Sequence, residues 1–188
     1  AVNFHDIKSR GQLGDVYEQI LNDLRSAGNA GEFYTPRAIT EFMVKIVNPS
    51  LNINETVLDP ACGTGGFLTA TITHLEGQIS KKSGAGDRKA IAQCIRGFEK
   101  KQLPHLLCVT NMLLHGIDVP SMIERRNTLA TGWNDWKLTE RVNCVITNPP
   151  FGGMEDASSG SDYLIQTRET GSHFQSWHPP CRRTVDSI

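Results

Sequence analysis

The chain has 188 residues, enough for one domain with a substantial core, and its apolar content of 38% is ordinary for a globular protein. No apolar run approaches the roughly 18 residues of a membrane-spanning helix, which argues against a membrane protein. The formal net charge of −1 excludes a strongly basic, independent DNA-binding domain. Most of the affinity for any nucleic acid would therefore have to come from a partner.

The five cysteines and six histidines show no spacing typical of a disulfide framework or a metal site. Four cysteines lie in apolar surroundings: Cys62, Cys94, Cys108 and Cys144. We therefore expect buried thiols, no bound metal and a reducing, cytoplasmic location. The chain starts at Ala1, with neither a methionine nor a leader-like segment, which is typical of a fragment or a processed chain.

Two helices are predicted at the start of the chain. Residues 11–27 carry apolar side chains at a helical spacing of three and four. Thr35 and Pro36 predict a second helix with a side-chain cap and a proline in its first turn. Between the two helices, Phe33 and Tyr34 either pack as a hydrophobic staple or present their ring faces to a positively charged ligand. The apolar face of the second helix is predicted to consist of Ile39, Phe42, Met43, Ile46 and Val47.

From residue 56 onwards, predicted strands alternate with predicted helices. The strands are 56–59, 94–98, 125–130 and 142–147, and the helices are about 65–77 and 103–116. Residues 80–89, rich in Ser, Gly and Lys, indicate a surface loop. Such alternation predicts an α/β fold in which helices wrap a parallel sheet, with ligands at the carboxyl ends of the strands.

A glycine-rich turn follows the first of these strands. Gly63, Gly65 and Gly66 come soon after Asp59, where glycine lets the backbone approach a ligand closely. Their spacing differs from the Gly-x-Gly-x-x-Gly of nicotinamide-binding folds, and no Gly-Lys-Ser/Thr of a phosphate loop follows. Glu99 ends the next strand region, where a carboxylate either lies in solvent or holds the diol of a ribose.

A second motif, Asn148-Pro149-Pro150-Phe151, ends the apolar run 142–147. Two prolines suffice to stop a strand, but they do not explain the asparagine or the aromatic ring. The Asn148 side-chain oxygen and the Pro149 carbonyl are two acceptors that can bind one planar amino group and leave its lone pair free to attack. Pro149 and Pro150 fix the backbone so that this carbonyl points the right way, and Phe151 provides a face for stacking a planar ring. The motif therefore favours chemistry at an NH2 group.

The pattern fails after Gly153, where neither a helical nor a strand period continues. The chain is accordingly divided into three parts: an N-terminal helical segment (1–50), a core holding four strands (51–156) and an irregular or aberrant C-terminal tail (157–188).

Four separated motifs together resemble one family. The chain is similar to adenine-N6 DNA methyltransferases, and more narrowly to the modification (M) subunit of type I restriction-modification systems. The segments that carry the resemblance, in this order, are Gly31–Arg37, Asp59–Phe67, Gly97–Glu99 and Asn148–Phe151. The similarity extends over about residues 10 to 156 and also includes Leu113–Ile117, Arg126–Leu129 and Gly152–Gly153.

The resemblance implies a fold, a cofactor and a set of site residues. The fold is the Rossmann-like sheet of class I S-adenosylmethionine-dependent methyltransferases, here incomplete and preceded by two helices. The cofactor is S-adenosyl-L-methionine, and its implied contacts are Glu32, Phe33, Tyr34, Thr35, Pro36, Arg37, Asp59, Gly63, Thr64, Gly65, Gly66 and Glu99. The implied catalytic residues are Asn148, Pro149, Pro150 and Phe151.

The resemblance also implies partners. The acceptor is an adenine flipped out of double-stranded DNA, and the complex includes a specificity subunit and a restriction subunit. We expect the isolated chain to be inactive on DNA. Two alternatives stay open: a methyltransferase acting on a protein glutamine amide or on RNA, and a truncated, non-catalytic remnant that binds the donor or helps assembly.

Overall fold

A parallel β-sheet organises the chain in the computed structural model, which describes residues 17, 19, 35–79, 85–131, 136–149 and 181–186. Within these residues the sheet has five strands in the order β3-β2-β1-β4-β5, and every neighbouring pair is parallel. The strands are β1 (Val57–Asp59), β2 (Ile95–Glu99), β3 (Ile123–Arg125), β4 (Val142–Thr147) and β5 (Cys181–Asp186).

Helices precede and connect the strands, because parallel neighbours need a crossover. The α-helices are α1 (Arg37–Val47), α2 (Gly66–Glu76), α3 (Ala85–Cys94) and α4 (Gln102–Leu114). Short 3-10 helices lie at Thr128–Ala130 and Leu138–Glu140. The predicted α/β fold is thus confirmed. In the described part of the chain, no helix has both the length and the apolarity that a membrane crossing requires.

The central strands are buried on both faces of the sheet. Val57 of β1 packs with Cys144 and Ile146 of β4 in a cluster that includes α1 and α2 side chains. Leu58, the next residue, packs on the other face with Phe98. Successive residues of a strand point to opposite faces, so burial on both sides requires the continuous apolar runs seen in these segments.

Three local predictions need correction. The third strand covers 123–125 rather than 125–130, because the Asn127 side chain accepts a hydrogen bond from the Leu129 N–H at 3.1 Å and starts a 3-10 turn. Residues 85–89, expected in a loop, belong to α3. The predicted apolar face of α1 is only partly buried, since Met43 and Val47 are enclosed, whereas three of its members are exposed: Ile39, Phe42 and Ile46.

The predicted irregular tail contains a strand. β5 pairs with β4 in parallel, from Val142 opposite Cys181 to Thr147 opposite Asp186. The expectation of four strands and of no regular structure after residue 157 is wrong for residues 181–186. Strand β5 supplies backbone hydrogen-bond partners for β4, whose edge is otherwise unpaired. An edge strand tolerates charged residues, and the charged residues of this segment are the reason why the sequence did not indicate a strand. The boundaries of the three predicted parts stay a prediction.

The strand order creates a crevice between β1 and β4. From β1 the chain adds β2 and then β3 on one side, and then returns to add β4 and β5 on the other. At such a reversal the connections leave in opposite directions, which opens a cleft at the carboxyl ends of the two strands.

Candidate active site

The glycine-rich turn begins where β1 ends. Gly63 and Gly65 have φ angles of +53° and +87°, in the left-handed region that favours glycine. A Cβ on Gly65 would lie 2.8 Å from Cys108 Sγ and 3.1 Å from Met112 Cε, so this residue lets the turn pack onto α4. A Cβ on Gly63 would meet no atom within 4 Å. Gly63 therefore borders open space, as a residue lining a ligand site does.

Hydrogen bonds from two neighbouring segments hold this turn in place. The Asn111 side-chain amide, on α4, donates to the Thr64 carbonyl at 3.1 Å. The Thr128 hydroxyl, which is buried, donates to the Pro60 carbonyl at 2.6 Å. Neither polar residue was assigned a role from the sequence, although Thr128 belongs to one of the family segments. Asn111 is one of several polar side chains in an apolar helix, and no pattern in the sequence distinguishes it from the others.

Glu99 lies at the carboxyl end of β2 and faces the turn. Its Oε2 accepts a hydrogen bond from the Gly63 N–H at 2.9 Å, and its Oε1 accepts one from the Lys101 N–H at 2.7 Å. A carboxylate has about four acceptor positions, so this side chain retains capacity for further donors such as hydroxyl groups. The structure thus joins two residues, Gly63 and Glu99, that the sequence predicted for one site.

Asp59, the last residue of β1, is buried in the protein, with 2% of its surface exposed. Its Oδ1 accepts hydrogen bonds from the Ala61 N–H at 3.2 Å and from the Thr147 hydroxyl at 2.9 Å. Burial raises the pKa of Asp59 to about 7, with a smaller contribution from the charge of Glu99, while the two hydrogen bonds act in the opposite direction. Asp59 therefore connects the glycine-rich turn to the end of β4.

Asn148 follows Thr147 directly and is half-buried. Its Nδ2 donates a hydrogen bond to Thr35 Oγ1 at 3.0 Å. The expectation that Thr35 caps the following helix is wrong, because Pro36 occupies the N-cap position and α1 has no side-chain cap hydrogen bond. The structure thus brings Thr35 to the end of β4.

The other predicted site residues differ in how they are placed. Thr64 and Gly66 are half-buried in the glycine-rich turn, and Pro149 is half-buried after Asn148. Pro36 and Arg37 are exposed, and the Arg37 guanidinium pairs with Glu41 at 2.9 Å one helical turn away. Glu32, Phe33, Tyr34, Pro150 and Phe151 lie outside the described residues.

A stacked cation borders the Glu99 end of the site. The Arg126 guanidinium lies 4.5 Å from the ring centroid of Phe98 and 4.7 Å from that of Trp136. It also donates to Glu140 Oε1 at 2.8 Å, and this hydrogen bond holds the pKa of Glu140 below its usual range. The Arg126 N–H donates to the Glu99 carbonyl at 3.0 Å, so the cluster fixes the backbone that carries the carboxylate.

The predicted buried thiols are confirmed at four positions: Cys62, Cys94, Cys108 and Cys144 are free and buried. The Cys62 thiol donates to Cys108 Sγ at 3.8 Å, and this hydrogen bond together with burial raises the pKa of Cys62 well above its ordinary value. Such a thiol is a poor nucleophile. In the described ranges, no group of three or more His, Cys, Asp or Glu residues is arranged to hold a metal ion.

The known proteins that this chain resembles are DNA methylases and modification subunits of type I restriction enzymes. The family model for the N-6 DNA methylase matches residues 8–173. The chain is 51% identical over 175 residues to the type I restriction enzyme EcoEI methylase subunit of Escherichia coli, which covers 92% of this chain and 34% of that protein. Among solved structures, it is similar to a modification subunit of a putative type I restriction enzyme from Vibrio vulnificus, with 40% identity and a TM-score of 0.75. That match covers 90% of this chain and 35% of the other.

A more distant structure shows the fold alone. A putative class I S-adenosylmethionine-dependent methyltransferase from Listeria monocytogenes is 16% identical, with a TM-score of 0.61 over 93% of this chain and 50% of that one. The sheet described above is therefore the Rossmann-like sheet of class I methyltransferases. The chain spans about a third of the length of the type I relatives that it matches.

Proposed function

This chain belongs to the N-6 DNA methylase family, and from that premise we propose that it transfers a methyl group from S-adenosylmethionine to the N6 amino group of adenine in DNA, as the modification subunit of a type I restriction-modification system. One observation carries the proposal. Gly63 and Glu99 meet at the ends of β1 and β2, and Asn148 follows β4 on the other side of the same crevice. A donor site and an amino-group site thus share one edge of the sheet.

The donor half of the site fits a nucleoside. Gly63 leaves open space beside a turn of positive φ, and the Glu99 carboxylate has acceptor capacity for the two hydroxyls of a ribose. Bound S-adenosylmethionine would supply a methyl group on a positively charged sulfur, so the S–CH3 bond would break as the N–CH3 bond forms, and the adenine nitrogen would then lose one proton to water. Apart from Thr35, the segment Glu32–Arg37 and the turn residues Thr64–Gly66 complete the proposed donor contacts. Asp59 supports this site from the protein interior, because its carboxyl group is buried and accepts a hydrogen bond from Thr147.

The acceptor half of the site is Asn148 with the residues that follow it. Asn148 Oδ1 and the Pro149 carbonyl each accept one N–H of the adenine amino group, which orients its lone pair towards the methyl group. Pro150 and Phe151 complete this half, with Phe151 stacking on the flipped base. The base has to leave the duplex because its amino nitrogen is otherwise out of reach. No cysteine takes part, and positioning accounts for most of the rate enhancement.

The partners follow from the same proposal. A specificity subunit selects the DNA sequence and supplies most of the positive charge that a chain of net charge −1 lacks. A restriction subunit completes the complex, which works in the cytoplasm. The family match favours DNA adenine over a glutamine amide or RNA as the acceptor. The paired strands of the described sheet favour an active module over a non-catalytic remnant.

The test is methyl transfer by the chain assembled with a specificity subunit. Labelled S-adenosylmethionine and DNA containing the recognition sequence should yield N6-methyladenine. Asn148→Ala should abolish transfer while leaving the donor dissociation constant unchanged, because only the amino-group acceptor is lost. The matched control is Asn52→Ala, an asparagine on the exposed turn before β1. A parental rate of transfer with Asn148→Ala contradicts the assignment.

A further inference from the structure

We propose that Thr35 is a positioning residue for methyl transfer: its hydroxyl holds the Asn148 side-chain amide by the nitrogen, so that Oδ1 is the end presented to the substrate amino group. The inference rests on the proposed function and extends it to a residue that the sequence assigned to the donor. The two side chains are 113 positions apart in the chain, and their contact joins the start of α1 to the end of β4.

The hydroxyl of Thr35 is available for this purpose because the helix does not use it. Thr35 lies two positions before α1, and Pro36 occupies the N-cap position, where a side-chain oxygen commonly accepts from the first N–H groups. The helix has no side-chain cap hydrogen bond, and the Ile39 N–H bonds to the Pro36 carbonyl at 2.9 Å. The Thr35 hydroxyl accepts from Asn148 Nδ2 at 3.0 Å. The hydroxyl thus bonds to the asparagine and not to the helix.

The orientation of this amide decides whether the motif works. An asparagine side chain has an acceptor end and a donor end, and these exchange when the amide rotates by half a turn. With Nδ2 turned towards the substrate, two NH2 groups face each other and no hydrogen bond forms. With Nδ2 on Thr35, Oδ1 accepts from the substrate, and both ends of the amide are satisfied.

The backbone beneath Asn148 is already fixed, so the side-chain torsions are its main remaining freedom. Thr147, the preceding residue, is buried, and its hydroxyl bonds to Asp59 at 2.9 Å. Pro149, the following residue, restricts Asn148 to extended backbone conformations. The hydrogen bond with Thr35 fixes the side-chain torsions of Asn148, which Thr147 and Pro149 leave free.

A positioning role and a donor contact predict different kinetics. Loss of a donor contact weakens the binding of S-adenosylmethionine. Loss of positioning lowers the rate constant of transfer once donor and DNA are bound, because misorientation affects the reacting geometry and not the binding of the donor.

The experiment compares Thr35→Val, which keeps the shape and removes the hydroxyl, with Thr35→Ser, which keeps the hydroxyl and removes a methyl group. Both are tested in the chain assembled with a specificity subunit, by single-turnover transfer and by calorimetric titration with S-adenosylmethionine. Thr35→Val should lower the transfer rate roughly tenfold or more, with the donor dissociation constant unchanged. Thr35→Ser should restore most of that loss.

Each outcome decides between the alternatives. If Thr35→Val transfers at the parental rate, or if its loss lies wholly in donor affinity, the inference is overturned. A Thr35→Ser variant as slow as Thr35→Val overturns it as well, since shape would then matter more than the hydroxyl. Absence of transfer by the parental complex refutes the proposed function itself. Thermal unfolding checks that each variant is folded, and Thr35→Ala replaces Thr35→Val should the valine lower the melting temperature.

Discussion

The Thr147 hydroxyl donates a hydrogen bond to Oδ1 of Asp59 over 2.9 Å, which joins the last residue of β4 to the last residue of β1. Both residues are buried, and each is followed directly by a segment of the proposed site. The glycine-rich turn leaves from Asp59 and Asn148 leaves from Thr147. This buried contact therefore extends the pairing of β1 with β4 to the two residues from which the donor and acceptor halves of the crevice begin.

We predict that Asp59 makes stability fall as pH rises. Its pKa is about 7 in the folded chain and about 4 when unfolded, so between these values the folded state binds more protons. The free energy of unfolding then decreases from about pH 4 to pH 7 and stays lower above. Urea unfolding at a series of pH values measures this dependence. Asp59→Asn keeps an acceptor for Thr147 and should flatten the curve, whereas an unchanged slope contradicts the prediction.

Two glycines of the same turn should respond differently to alanine. Gly65→Ala introduces a methyl group 2.8 Å from Cys108 Sγ in addition to an unfavourable φ, so we expect a loss of about 2–4 kcal/mol in unfolding free energy. Gly63→Ala meets open space and should cost only about 1 kcal/mol, but it should weaken the binding of S-adenosylmethionine. Urea unfolding and donor titration of both variants measure the two effects. Equal losses of stability would argue that packing at Gly65 is unimportant.

Glu99 should control the response to the donor. S-adenosylmethionine at about 100 times its dissociation constant should stabilise the parental chain by about 2.7 kcal/mol, which corresponds to a rise of roughly 5–11 °C in melting temperature. Glu99→Gln removes the charge and part of the acceptor capacity, so the rise should shrink at the same donor concentration. Asp118→Asn, at an exposed carboxylate between α4 and β3, is the control. A full rise with Glu99→Gln would remove Glu99 from the donor site.

Replacing the stacked guanidinium of Arg126 by the amine of lysine should lower the stability of the protein. Arg126→Lys keeps the charge but loses the planar group that lies over the rings of Phe98 and Trp136, so we expect a loss of about 1–2 kcal/mol in unfolding free energy. The control is Arg125→Lys, at an exposed neighbouring position, which should have little effect. Urea denaturation of the two variants gives the comparison. Equal stability of both would show that the charge alone matters.

Features carried by local patterns could be predicted from the sequence. Apolar runs that end in polar motifs identified β1, β2 and β4 to within one or two residues. Because parallel strands place their carboxyl ends at one edge, the same patterns predicted Gly63 and Glu99 at one edge of the sheet, but not the hydrogen bond between them. Strand β5 was missed because its sequence has charged residues and no clear period, and its formation depends on pairing with β4.

Long-range contacts of polar side chains could not be predicted. Thr35 looked like a helix cap because threonine before proline is a strong local signal, and nothing in the sequence links it to Asn148. Asp59 was assigned to the donor through its motif, yet its carboxyl bonds to Thr147 in the interior of the protein. The sequence indicates which polar side chains need hydrogen-bond partners. The partners themselves are determined by how the strands and helices pack.

The strand order also has a consequence for how the site assembles during folding. Gly63 and Glu99 are 36 positions apart, whereas the hydrogen bond that links Thr56 to Asn143 closes a loop of 87 positions. Shorter loops close at a lower entropic cost, so we expect β1, α2 and β2 to associate before β4 joins them. The turn that faces the donor then forms early, and Asn148 reaches its place only when the last central strand has docked.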